Sequence, residues 1–359
     1  MKNILVVIGT RPEAIKMCPV ILKLKKSPIL NPVVCLTGQH NIKDISEILD
    51  LFDIKSDHNL NVSVFEKVNL HLISSNVLLQ VTNLLRKEDI QGVMVQGDTT
   101  SAAKSAEAAY LLKIPVIHIE AGLRTHDMNN PFPEEYNRRL IALMADYNFA
   151  SSSIGYQNLQ DEKVQNSFYA GNTIVDALFY IRNKFPSQEK NSNRILVTCH
   201  RRENWDYVTN LCNVINRLSE KYSDLNFVIC AHPNPDLQKK LKDNITSKFT
   251  EILYNVKYNH FIQLLSGSKF VITDSGGVQE EASVLSINAL VTRKCTERIE
   301  GVKSGIIKLV DLADTENVIK EFEKKINGVQ DIDIDYCLKD YKGGMASDNI
   351  VKTLEQKMV

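Results

Sequence analysis

At 359 residues the chain is too long for one ordinary hydrophobic core, so its length predicts two domains. With 43% apolar and 24% charged residues it has the balance of a folded globular protein, which excludes disorder over any long stretch. Lys and Arg number 43, as do Asp and Glu, so the basic excess that grips nucleic acid is missing.

In the first half, short β-branched runs alternate with amphipathic segments. Ile4–Ile8, Val33–Leu36, Val93–Val95 and Val116–Ile119 read as buried parallel strands, each followed by a turn and a helical stretch. A polar linker, 186–193, precedes a second series at Ile195–Thr198, Phe227–Cys230, Phe270–Thr273 and Ala289–Val291. The pattern predicts an α/β protein of two Rossmann-like, doubly wound domains, 1–170 and 171–342, facing across a cleft. Ligands of such sheets bind beyond the carboxyl ends of the strands. Seven cysteines, none in a CxxC pair, sit mostly in apolar runs and read as reduced, buried side chains. No apolar run reaches the roughly 20 residues that span a bilayer. The first residues read as a strand rather than a signal peptide, which predicts a cytoplasmic protein with no membrane partner.

Polar residues gather at the predicted strand ends, where a core has no use for them. After the first strand, Gly9-Thr10-Arg11-Pro12-Glu13 opens a helix, and Arg11 and Lys16 offer cations near its N-terminus. A solvated capping turn explains that segment equally well. The third and fourth strands end at Gly97-Asp98-Thr99-Thr100 and His118-Ile119-Glu120-Ala121-Gly122-Leu123-Arg124, with Glu134 and Arg138 on the segment that follows. Asp98, Glu120 and Glu134 form a carboxylate set suited to acid/base work, because burial and neighbours move such pKa values apart. Helix capping and ion pairing are the structural alternatives. In the second half His200 and His232 fall at strand ends. Cys199 and His200 point to opposite faces and do not make a dyad. Asp274-Ser275-Gly276-Gly277 at a strand-to-helix turn is the sharpest phosphate signal, its N–H groups forming an anion nest. Glu281 is placed one turn on for ribose hydroxyls, and Arg293 and Arg298 follow as cations. The histidines have no zinc-ligand spacing.

In combination these segments resemble the non-hydrolysing UDP-N-acetylglucosamine 2-epimerases. The matching motifs also include Pro133-Glu134-Glu135 with Asn137-Arg138, His200-Arg201-Arg202-Glu203, Gln279-Glu280-Glu281 and Thr296-Glu297-Arg298, in family order over nearly the whole chain. The resemblance implies a glycosyltransferase-B-like fold, with a C-terminal helix near 343–359 packing back on the first domain, and a homodimer. It implies that Arg11, His232, Ser275, Gly276, Gly277, Glu281 and Arg298 hold UDP, while Lys16, Asp98, Glu120, Glu134, Arg138 and His200 surround the sugar. The reaction it implies inverts C2 of UDP-N-acetylglucosamine to give UDP-N-acetylmannosamine for surface polysaccharide, through a 2-acetamidoglucal and without metal or redox cofactor.

Some residues depart from the family pattern. Gln39-His40-Asn41-Ile42-Lys43-Asp44 runs one residue longer than in members regulated by their own substrate, and Ile299 replaces a usual proline. Alternatives are a C2 epimerase of a modified UDP sugar (a diacetamido uronate or N-acetyl 6-deoxyhexose) and a UDP-sugar sensor without catalysis. A glycosyltransferase would need an acceptor face, which the sequence does not display.

Overall fold

The apolar runs become strands buried on both faces: Ile4 to Ile8 are at most 1% exposed. That is the environment of a parallel sheet covered by helices on each side, and it explains why the strands read as continuous runs rather than alternating ones. The computed structural model describes residues 1–62, 69–186, 193–199, 202–328, 333 and 335–358. The chain divides into two compact units, Met1–Ala177 with Asp340–Val359, and Leu178–Lys339.

In the first unit the strands are β1 (Lys2–Ile8), β2 (Leu30–Leu36), β3 (His58–Asn59), β4 (Gly92–Gln96), β5 (Val116–Ala121), β6 (Tyr147–Ala150) and β7 (Ser167–Tyr169). They form one parallel sheet in the order β3-β2-β1-β4-β5-β6-β7. The strand order reverses between β1 and β4, and the loops leaving these two strands bound the crevice where doubly wound sheets take ligands. The C-terminal helix Ala346–Lys357 belongs to this unit and lies along helix Arg11–Leu24. Lys23 bonds Asp348 at 2.8 Å and Ser27 bonds Glu355 at 2.6 Å, while Asp176 accepts from the Ser347 N–H at 3.0 Å.

The second unit repeats the plan with β8 (Arg194–Thr198), β9 (Asn226–Ala231), β10 (Thr250–Tyr254), β11 (Phe270–Thr273), β12 (Asn288–Val291) and β13 (Ile307–Leu309). Its parallel order is β10-β9-β8-β11-β12-β13, so the switch point lies between β8 and β11. Phe270, Phe227 and Tyr222 pack around Phe322 with ring centroids 5.0 to 6.2 Å apart. Each unit therefore has the Rossmann-like fold expected from the sequence. Among the described residues no helix is long and apolar enough to cross a membrane, and no disulfide joins the cysteines.

Candidate active site

β4 and β5 are neighbours, with Gln96 opposite Ile119, so Asp98 and Glu120 emerge at one carboxyl edge. The register of β5 against β6 slips between Ile119 and Ala121, and Glu120 inside that bulge has φ 62°. A left-handed glutamate costs on the order of 1 kcal/mol, and such strain is characteristically retained at working sites. Gly122 follows at φ 87°, where a Cβ would meet the Gly155 carbonyl oxygen at 2.1 Å, so only glycine lets the chain turn here. Helix Arg11–Leu24 carries Lys16 in its second turn, and the Lys16 ammonium ion-pairs with the Glu120 carboxylate. The two are 4% and 5% exposed, so each charge depends on the other for its solvation.

Asp98 ion-pairs with Arg138, which is 1% exposed and lies 3.8 Å from Glu135 on its other side. Asn137 donates to the Asp98 carbonyl at 2.8 Å. Burial works to raise the Glu135 carboxyl, but hydrogen bonds from the Thr125 N–H and Arg139 outweigh it and hold the group below its ordinary value. Glu134 heads the same helix, Glu134–Met144, one turn before Arg138. Arg124 from the same motif is occupied elsewhere, in a two-point pair with Glu162 at 2.9 and 2.7 Å.

His118 lies in the floor of this rim, fully buried, its Nε2 2.8 Å from the Gly97 carbonyl. Since a carbonyl accepts, Nε2 carries the proton. Burial pushes the imidazole down to about 4, with the nearby Arg124 charge adding to it. The neutral ring is favoured in the fold, so no stability is lost above pH 6.5. Between about pH 6.5 and 4 the unfolded chain takes up a proton that the native site refuses, and stability falls by about 3 kcal/mol. A His118→Gln variant, which keeps an N–H near Gly97, is expected to lack that acid-sensitive increment in denaturant titrations at pH 7 and pH 4.5.

Glu13 closes the other side of the rim. Thr10 caps helix Arg11–Leu24 and Glu13 reaches back to the Gly9 N–H at 2.9 Å and the Thr10 hydroxyl at 2.8 Å, a capping box. The second carboxylate oxygen accepts from the Thr99 hydroxyl at 2.7 Å. Burial pushes the Glu13 carboxyl up to about 7, opposed by the bonds from Thr99, Thr10 and Gly9. Arg11, half-buried at the helix start, joins burial in lowering the pKa of neighbouring His40.

In the second unit β11 ends at Thr273 and helix Gly276–Val284 follows, with Ser275 at its N-cap. One expectation needs correcting: the Ser275 N–H does not line an anion nest, because it donates to Thr273 Oγ1 at 3.0 Å. The N–H groups of Gly276 and Gly277, which no helical carbonyl can reach, head the helix instead. A Cβ on Gly276 would lie 2.9 Å from Arg298 Cζ, so glycine here lets the guanidinium lie against the backbone. Arg298 also pairs with Glu280 at 3.4 Å and with Glu297, whose other partner is Arg293 at 3.3 Å. Glu281 is buried and accepts from Tyr258 Oη at 2.7 Å. Asn204 ties this turn to its neighbours, donating to Asp274 and to the Thr292 carbonyl, both at 3.0 Å.

His232 directly follows β9 and accepts the Asn234 N–H on Nδ1 at 3.1 Å, its ring 5.7 Å from Trp205. His200 lies outside the described residues. Burial, with Asp274 nearby, pushes the Cys199 thiol well up, the opposite of what a nucleophile needs. The first unit thus gathers Lys16 with Glu120 and Asp98 with Arg138, and the second, taken by itself, sets Arg298 against Gly276. Tyr258 is the residue that sequence reasoning passed over, while Glu13 and Thr99 stood in its motifs with no role of their own; the Thr10-x-x-Glu13 capping spacing was there to be seen.

The sequence profile of UDP-N-acetylglucosamine 2-epimerases matches residues 22–355. A Campylobacter jejuni UDP-N-acetylglucosamine 2-epimerase is 38% identical over 99% of this chain and 97% of its own. The crystal structure of the Neisseria meningitidis UDP-GlcNAc 2-epimerase bound to UDP-GlcNAc is similar at TM-score 0.87 and 36% identity, over 99% of this chain and 100% of that one. S. aureus MnaA, solved with UDP, gives TM-score 0.90 at 32% identity, over 100% and 97% of the two chains. A motif set in family order and a whole-chain match in sequence and fold converge: the chain belongs to the UDP-N-acetylglucosamine 2-epimerase family.

Proposed function

We propose that this chain interconverts UDP-N-acetylglucosamine and UDP-N-acetylmannosamine, handling the sugar mainly with first-unit residues and UDP mainly with second-unit residues, with Arg11 and His200 as the exceptions. The observation that carries the proposal is the buried Lys16–Glu120 pair on the same sheet edge as Asp98–Arg138. A diphosphate binder has no use for carboxylates placed this way, whereas a proton-transfer reaction does.

The C2 hydrogen of an N-acetylhexosamine is not beside a carbonyl carbon, so enolisation cannot release it. Breaking the C1–O bond to UDP builds positive charge at C1 and acidifies C2–H. One carboxylate of the Asp98, Glu120 and Glu134 set takes that proton, leaving 2-acetamidoglucal and UDP. Delivery of a proton to the other face of C2, followed by return of the UDP oxygen to C1, gives the epimer. Arg11, Arg298 and the Gly276 and Gly277 N–H groups stabilise the departing diphosphate, with Ser275 and His232 beside it. Glu281 holds the ribose. Lys16 keeps Glu120 ionised as base, or donates in the reverse direction, and Arg138 orients Asp98. His200 is assigned to the sugar by its motif alone.

We place the enzyme in the cytoplasm, where reduced cysteines and nucleotide sugars coexist, as a source of N-acetylmannosamine for surface polysaccharide. We also assign it a homodimeric state. Helices Leu70–Lys87, Thr100–Leu111 and Glu134–Met144 pack side by side and leave Leu79, Tyr110, Leu111 and Leu143 exposed, Leu143 by 81%. Light scattering of the purified protein is expected to give the mass of a dimer, and of the Leu143→Glu variant that of a single chain; a single-chain mass for the wild type would overturn the assignment.

The substrate is tested by running the reaction from each side and resolving the two UDP sugars by anion-exchange chromatography. Approach to one common ratio from both directions supports the assignment. Inertness toward both, with turnover of the uronate or 6-deoxy analogue, would replace it with the modified-sugar alternative.

A further inference from the structure

The capping box at Thr10 and Glu13 accounts for one carboxylate oxygen of Glu13 and leaves the other to be explained. An ordinary capping box is local, closing on its own helix. Here Oε1 instead accepts from Thr99, a residue 86 positions away on the loop after β4. Thr99 is itself the N-cap of helix Thr100–Leu111, its Oγ1 accepting from the Ala102 N–H at 3.0 Å. Each threonine hydroxyl therefore accepts from its own helix and donates to the same carboxylate. One buried group, 2% exposed, couples two helix N-termini across the switch point of the sheet.

The two elements joined in this way carry the reacting side chains. Lys16 lies three residues beyond Glu13, on the same helical face, and holds Glu120. Asp98 immediately precedes Thr99 and is held from its other side by Arg138. The 2.7 Å bond between Glu13 and Thr99 thus ties the helix that carries Lys16 to the loop that carries Asp98, while Asp98 and Glu120 are held together separately by the strand ladder, where the Gly97 N–H donates to the Ile119 carbonyl at 2.9 Å.

We infer that Glu13 is a positioning residue for the epimerisation: it touches no substrate, but its bond to Thr99 sets the distance between Lys16 and Asp98. This rests on the reaction proposed above. A reaction that removes a proton on one face of C2 and returns one on the other requires that spacing to be kept while the glucal intermediate waits. Misplacement by about 1 Å is enough to cost on the order of a hundredfold in rate. A mispositioned return lengthens the life of the intermediate, so more glucal and UDP escape for each epimer formed.

The deciding measurement is the ratio of released 2-acetamidoglucal to epimer, with UDP-N-acetylglucosamine as substrate, in the full-length protein. That ratio is a property of each turnover and is unchanged if part of the sample is unfolded. Glu13→Gln, which cannot accept all of these bonds, and Thr99→Val, which deletes only the hydroxyl, are each expected to raise it about tenfold. Both are expected to lower kcat at least tenfold with KM changed less than threefold, while Thr99→Ser stays near wild type. Thr99→Val carries the test should Glu13→Gln not fold. The double variant is expected to be no worse than Glu13→Gln alone, since both changes break one bond. Wild-type protein inert toward the substrate overturns the proposed reaction and this inference with it. An active wild type whose Glu13→Gln and Thr99→Val variants keep its ratio and its kcat within twofold overturns the inference alone.

Discussion

Replacement of Glu120 by Gln is expected to lower kcat by about a thousandfold while leaving UDP affinity within threefold of wild type. The size follows from the general worth of a positioned acid or base, roughly a hundredfold to ten-thousandfold. The selectivity follows from where the group sits. Glu120 belongs to the first unit, whereas Gly276, Gly277 and Arg298 belong to the second. Glutamine has the same shape and can still bond the Lys16 ammonium, so the bulge at Ile119 and Ala121 is expected to hold. What is lost is the proton acceptor and the countercharge of a lysine that is 4% exposed. Isothermal titration with UDP beside steady-state kinetics separates the two effects. A Glu120→Gln enzyme within tenfold of wild-type kcat would move the base to Asp98 or Glu134.

Replacement of Arg138 by Leu is expected to be the most damaging change to stability in this site, costing about 3 kcal/mol. Arg138 is among the largest fully buried side chains, and two carboxylates depend on it, Asp98 by direct pairing and Glu135 at 3.8 Å. Leucine fills much of the space but leaves Glu135 buried with less compensation. An Arg138→Lys variant keeps the charge without the planar fork and is expected to lose about half as much. Lys23→Met serves as the control. Its pair with Asp348 is 38% and 39% exposed, and such pairs contribute roughly 0 to 1 kcal/mol. Urea titration at pH 7 measures all three. Equal losses for Arg138→Leu and Lys23→Met would mean that burial of the Arg138 network has no energetic consequence.

The parts of the fold that could be read from the sequence are those whose physics is local and repetitive. Strands β1, β4, β8 and β11 are central and covered on both faces, and they announce themselves as unbroken apolar runs. Strand β10 at a sheet edge is only partly buried, Thr-Glu-Ile-Leu-Tyr, and resembles a loop in composition. Strand β7, Ser167–Tyr169, is three half-buried residues at the opposite edge of the other sheet and was equally silent. The linker expected at 186–193 falls mostly outside the described residues; the division between units comes earlier, inside helix Thr173–Lys184.

The site shows the same division. Asp98 and Glu120 were predictable neighbours because their strands are consecutive in both sequence and sheet. Lys16 and Glu120, 104 residues apart, could be assigned to one site only by resemblance, and the bond between Glu13 and Thr99 not at all. Long-range pairs are set by how helices dock on the sheet, which no local spacing records. The Ser275 N–H was misassigned for a related reason. A threonine two residues back competes for that donor, and such short side-chain bonds decide which N–H groups remain for a ligand.

The central claim is that a proton leaves C2 and another returns to its opposite face. The direct measurement is NMR of the purified protein with UDP-N-acetylglucosamine in deuterated water, following the C2 proton. The account predicts loss of the C2 proton signal as UDP-N-acetylmannosamine appears, with deuterium at C2 of the product. Epimer formed with its original C2 hydrogen retained, or no epimer at all, would contradict it.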